Sequence, residues 1–171
     1  MFKVNNAEVY YSKKIVTLEE ASKLVSKLKT SGKSVGLCHG CFDLLHPGHM
    51  KHLESAKELC DIIFVSLTSD KFVVERKGSE RPIFSENLRT YMIACLESVD
   101  YTFIAPSETC IEVIRTLKPS YYIKGPDIKE FHSLAIDAER EAIKAVGGEI
   151  RYTEDPKLAT TNLISYIKKL N

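Results

Sequence analysis

Ten residues, GCFDLLHPGH at positions 40–49, constrain this chain more than any other segment. A short apolar run, 35–38, precedes them and reads as a buried strand. Helical periodicity starts immediately behind them, at Met50, Leu53, Ala56 and Leu59. A strand, a turn carrying Gly40 and Gly48, and then a helix start is the arrangement that makes an anion seat. The unpaired N–H groups of a first helical turn and the helix dipole both point at whatever lies above the turn. Pro47 suits the first helical position, where its missing N–H is no loss. His46 and His49 would therefore face an anion, donating hydrogen bonds or carrying charge if a phosphate raises their pKa. Taken singly, either histidine reads more readily as a cap or a packing residue; the pairing at a glycine-bearing turn weakens that reading.

Alternation fixes the fold class. T-L-E-E at 17–20 is a capping box, with Leu18, Ala21, Leu24, Val25 and Leu28 as one stripe and Gly32 as the stop. Strands are expected at 35–38, 62–67, 101–105, 121–123 and 149–152. Helices are expected from the turn to about 59, over 85–97 with Leu88, Met92, Ala94 and Cys95 inward, and over 108–117, 134–146 and 161–170. The last of these carries Leu163, Ile164, Ile167 and Leu170 on one face. Residues 69–84 read as a polar loop. About five strand–helix alternations predict an α/β fold, a doubly wound parallel five-stranded sheet with helices on both faces. Ligands of such sheets sit beyond the carboxyl ends of the strands. Residues 1–14 read as an extension and 15–171 as a single domain.

Composition narrows the functional class. Net charge is +1, with 44% hydrophobic and 27% charged residues, which gives no general attraction to nucleic acid or membrane. Five cysteines, an odd number, do not form a disulfide framework, and the first residues lack the apolar core of a secretion signal; a cytoplasmic protein is expected. Cys38 and Cys41 form a C-x-x-C pair. A zinc site from these cysteines and His39, His46, His49 and His52 is conceivable, but the expectation is no bound metal.

Further segments follow in order: RKGSERPIFSENLRTYMIACLESVDYTFI (76–104), YIKGPD (122–127), VGGEI (146–150) and ATTNLI (159–164). With the H-x-G-H of the turn, these resemble the cytidylyltransferase-like nucleotidyltransferases, most closely the heptose 1-phosphate adenylyltransferases of lipopolysaccharide precursor synthesis. The likeness covers roughly 15–170 and implies a Rossmann-like sheet. It implies attack of a sugar phosphate oxygen on the α-phosphorus of a nucleoside triphosphate, with pyrophosphate leaving. Such catalysis is mostly positioning and charge stabilisation.

The resemblance assigns catalysis to His46, His49 and Lys77. It assigns nucleotide binding to Gly40, Cys41, Phe42, Gly48, Lys124, Gly125, Asp127, Thr160 and Thr161. The sugar phosphate falls to Asp43, Arg76, Arg81 and Arg89, although Arg89 could equally be a surface residue or an ion-pair partner of Glu86 or Glu97. Mg²⁺ is expected with the triphosphate. A separate sugar kinase would supply the acceptor, and a homodimer is expected from the habit of related proteins. One departure stands out. Glycerol-phosphate enzymes carry an arginine and a glycine before the hydroxyls, whereas this chain reads EDPKLATT (154–161), with Lys157 as the nearby cation. A polyol or alcohol phosphate cytidylyltransferase and an inactive nucleotide-binding module remain as alternatives.

Overall fold

Five parallel strands run in the order β3-β2-β1-β4-β5 in the computed structural model, which describes residues 10–156 and 160–170. They are β1 (Val35–Gly40), β2 (Ile62–Thr68), β3 (Tyr101–Ala105), β4 (Tyr121–Lys124) and β5 (Glu149–Tyr152). The helices are α1 (Leu18–Thr30), α2 (Pro47–Glu58), α3 (Asp70–Lys77), α4 (Glu86–Ala94), α5 (Ile111–Leu117), α6 (Leu134–Ala145) and α7 (Thr160–Lys168). The doubly wound sheet expected from the sequence is what forms.

Side chains alternate across each strand, so the sheet builds two cores. Leu37, Phe64, Phe103 and Tyr122 point to one face, against Ala21 and Val25 of α1, Ile114 of α5 and Ile143 of α6. Cys38, Val65, Leu67 and Ile123 point to the other, against Leu53 and Ala56 of α2 and Ile93 of α4. The capping box forms at α1: Glu20 N–H donates to Thr17 Oγ1 at 3.1 Å, and Thr17 N–H to Glu20 Oε2 at 2.7 Å.

Strand order reverses between β1 and β4, and the register there opens a crevice. β1 pairs with β2 through to Gly40↔Leu67, but its pairing with β4 reaches only Leu37↔Tyr122. The carboxyl ends of β1 and β4 therefore part above a shared base, at the switch point where such sheets bind ligands.

Four expectations need correction. Residues 70–77 form α3 instead of a loop, ended by Gly78 at φ 91°, a conformation that favours glycine. The inward face of α4 is Arg89, Thr90, Ile93 and Ala94, with Cys95 exposed. α5 starts three residues late, because Glu139 of α6 accepts the N–H of Cys110 at 2.9 Å and fixes the helix start there. The last helix, α7, ends at Lys168 and not at 170, and Leu163, Ile167 and Leu170 are exposed. No helix among the described residues is long and apolar enough to cross a membrane.

Candidate active site

His46 is the N-cap residue of α2, extended at φ −145° and ψ 165°, with Pro47 at the first helical position. That backbone lays its ring on the ring of His49, centroids 3.8 Å apart and planes within 21°. Phe42 closes on His49 edge-on, at 5.3 Å. Phe42 itself takes a left-handed φ of 46°, which turns the chain out of β1 towards α2. A Cβ at Gly40 would stand 3.0 Å from the Phe42 ring, so a larger residue there would press on the ring.

His46 is buried, His49 is half-buried, and both are underpartnered. His46 is 5% exposed, yet neither of its ring nitrogens has a hydrogen-bond partner, nor has Nδ1 of His49. Burial lowers the pKa of both histidines. For His49 the value falls to about 4, with the charges of His46, His52 and Lys77 adding to the effect of burial. Neutral imidazoles without partners in a closed place leave hydrogen-bonding capacity for a ligand.

His46 stacks against His49, which lines a cleft of about 230 Å³ at the switch point. Its walls come from the end of β1 and the turn (His39, Gly40, Cys41, Phe42) and from α2 (Gly48, His49, His52). Gly125, Pro126 and Asp127 contribute from the segment after β4, and Thr153, Asp155 and Pro156 from that after β5. A second hollow of about 410 Å³ shares His39, Gly40, His52 and Gly125 with the first. Thr68, Arg76, Lys124 and Glu139 also line it.

A model of the cytidylyltransferase-like family matches residues 37–167. The chain belongs to that family. Among curated relatives, it is 39% identical over 157 residues to the bifunctional protein HldE of Aliarcobacter butzleri, covering 91% of this chain and 31% of that protein. It is 36% identical to the HldE of Campylobacter fetus, over 92% of this chain and 32% of the relative. The chain thus spans about a third of the length of these relatives. A lipopolysaccharide core biosynthesis protein of Thermoplasma volcanium superposes with a TM-score of 0.59 at 27% identity, covering 75% of this chain and all of that one. A pantoate-beta-alanine ligase of Francisella tularensis shares the fold, with a TM-score of 0.61 at 14% identity over 92% and 77% of the two chains.

With family membership in hand, the expected site residues sort into three groups. Gly40, Cys41, Phe42, Gly48, His49, Gly125 and Asp127 line the cleft, and His46 stacks behind it. Arg76 and Lys77 end α3 and are exposed; Arg76 reaches the second hollow, and the charge of Lys77 acts on His49. Lys124 also lines the second hollow, but its ammonium is held at 3.2 Å by Glu139 and at 3.0 Å by the Tyr122 hydroxyl. Burial alone would raise the Glu139 pKa, but Lys124, the Cys110 N–H and the Tyr122 hydroxyl hold it below its usual value.

The third group is structural. Arg89 is fully buried and cannot meet a substrate. Its guanidinium donates to the carbonyls of Phe84 at 3.1 Å, Thr68 at 2.8 Å and Cys41, and to Asp70 Oδ1 at 2.9 Å. It ties the turn after β1 to the end of β2 and the start of α3. Asp43, 1% exposed, likewise faces the protein: Arg81 Nε and Ile83 N–H donate to it, the latter at 2.5 Å. Thr160 and Thr161 are not among the cleft-lining residues, and Lys157 lies outside the described residues.

Sequence reasoning missed His39, His52, Thr153 and Asp155 as cleft residues. His39 lies between Ser66 Oγ at 2.9 Å and Thr68 Oγ1 at 3.4 Å, and burial, aided by the charge of Lys124, lowers its pKa to about 4. His52 Nδ1 meets Thr153 Oγ1 at 2.9 Å, and Ser55 Oγ donates to Asp155 Oδ1 at 2.8 Å. The spacing 46, 49, 52, 55 puts these α2 side chains on one i, i+3 row, the signal that could have found them. Cys38 and Cys41 are free and buried, and burial pushes the Cys38 thiol well up, so it is poorly suited as a nucleophile or metal ligand.

Proposed function

We propose that this protein transfers a nucleoside monophosphate from a nucleoside triphosphate to a sugar phosphate, and that the reaction is adenylyl transfer to heptose 1-phosphate, giving an ADP-sugar. An acceptor phosphate oxygen attacks the α-phosphorus, the bond to the bridging oxygen breaks, and pyrophosphate leaves. The stacked His46 and His49 carry the reading. In this reading their unpartnered nitrogens donate to the α-phosphate oxygens as charge builds, and preorganised donors of that kind stabilise a transition state without reorganising. The N–H groups at Cys41 and Phe42 suit the same phosphate. Lys77, Arg76 and Lys124 supply positive charge around the two hollows, and Mg²⁺ enters with the triphosphate as part of the substrate. The heptose assignment rests on the resemblance of the motifs and on the HldE relatives. A phosphorylating enzyme must then supply the sugar 1-phosphate.

Pyrophosphate release over a grid of ATP, CTP, GTP and UTP against heptose 1-phosphate, other sugar 1-phosphates and glycerol 3-phosphate tests this. Turnover is expected with ATP and heptose 1-phosphate. Turnover confined to CTP and glycerol 3-phosphate would replace the assignment with the polyol-phosphate one, and none with any pair would overturn it.

A further inference from the structure

One carboxylate oxygen of a residue that lines the cleft is left over. Asp155 Oδ1 accepts from Ser55, but Oδ2 is buried and has no partner. A buried acceptor without a donor is unfavourable unless a ligand supplies one. Asp155 lines the cleft together with Pro156, Gly125, Pro126 and Asp127.

Its position can be measured along α2. At 1.5 Å per residue, His52 lies roughly 4.5 Å and Ser55 roughly 9 Å along the axis from His49. A nucleotide with its α-phosphate at the His46–His49 pair and its long axis following this row meets the wall in order. On that path the ribose falls opposite His52 and Thr153, and the base opposite Asp155. We propose that Asp155 Oδ2 is a specificity-determining acceptor that selects a nucleobase bearing an exocyclic amine at this edge. Adenine presents N6–H₂ and cytosine N4–H₂ there, whereas guanine presents O6 and uracil O4. The carboxylate attracts the first two and opposes the carbonyl of the others. Ser55 holds the carboxylate in place from α2. This inference rests on the nucleotidyl-transfer reading and adds which base the site takes.

Dissociation constants for ATP, CTP, GTP and UTP, measured calorimetrically on the whole chain and on Asp155→Asn and Ser55→Ala, test it. The unaltered protein is expected to hold ATP and CTP roughly 10- to 100-fold more tightly than GTP and UTP. Asp155→Asn brings that ratio close to one, because an amide can donate as well as accept. Ser55→Ala lowers the ratio less and serves alone if Asp155→Asn does not fold. A ratio near one in the unaltered protein, or one unchanged in the variants, overturns the assignment. So does an Asp155→Asn effect seen only in the preference for ATP over 2′,3′-dideoxy-ATP, since the oxygen would then serve the ribose. If nucleotides bind without base discrimination, only this inference fails; if none binds, the nucleotidyl-transfer reading fails with it.

Discussion

Two sets of buried polar side chains flank the turn after β1, and they differ in how completely they are bonded. Behind the turn, Arg89 spends its guanidinium on three carbonyls and a carboxylate. In front, His46 and His49 leave three ring nitrogens unpartnered. The three nitrogens are as removed from water as the guanidinium, but only the guanidinium is internally satisfied. A satisfied buried group belongs to the scaffold, and an unsatisfied one in a cleft wall points to a ligand. Arg81 falls between the two, bonded to Asp43 through Nε while its Nη2 is buried without a partner.

The sharpest way to break this contrast is to remove Arg89. Arg89→Ala strands three backbone acceptors in the interior and leaves the partly exposed Asp70 carboxylate unpaired, together costing about 3–5 kcal/mol. For a domain of this size that lowers Tm by on the order of 10 °C. A thermal melt within 2–3 °C of the unaltered protein would show that Arg89 is not the scaffold member of the comparison.

His46→Ala and His49→Ala should behave oppositely. Each removes a ring that packs but lacks hydrogen-bond partners, so the melt should fall less than in Arg89→Ala, while turnover falls by roughly 10²–10³. ATP should also raise Tm less in these variants than in the unaltered chain. Near-full turnover in either variant would sink the proposed role of that histidine.

Asp43→Asn probes the intermediate case. The shape is kept, but Arg81 loses its charged partner and Ile83 a strong acceptor, so stability should fall by about 1–3 kcal/mol. Base preference should be unchanged, since Asp43 is not part of the cleft wall. Denaturant midpoints together with the four-nucleotide titration would check both halves.

The sequence announced the scaffold better than the site, for physical reasons. Periodicity and capping mark elements that bury a continuous face, so Thr17, the five strands and the H-x-G-H turn were legible. The α3 segment DKFVVERK has few apolar residues at helical spacing and reads as polar loop, although its fold is helical. Arg89 was invisible as core because a charged residue is ordinarily exposed; only carbonyls from three separate segments make its burial tolerable. Thr153 and Asp155 carry no local signal at all. Their meaning comes from His52 and Ser55, 101 and 100 residues away in sequence.

The smallest expected effect sets one histidine against another. His39 and His49 both have pKa values lowered to about 4 in the fold, against about 6.5 in the unfolded chain. Between these values the unfolded state binds more protons, so stability rises with pH from about 4 to 6.5 and is fully present above. The two then part company when ATP is added. His39 is already bonded to Ser66 and Thr68, and its titration should hardly move. His49 faces the proposed phosphate seat, where nearby negative charge favours the imidazolium and should raise its pKa. Following both rings by NMR across pH 4–8, with and without ATP, separates them. An upward shift at His49 with His39 still is the signature of a phosphate at the pair. Equal shifts at both rings would mean that the response is a general change in the field of the site, and the distinction between the bonded and unbonded histidine would be lost.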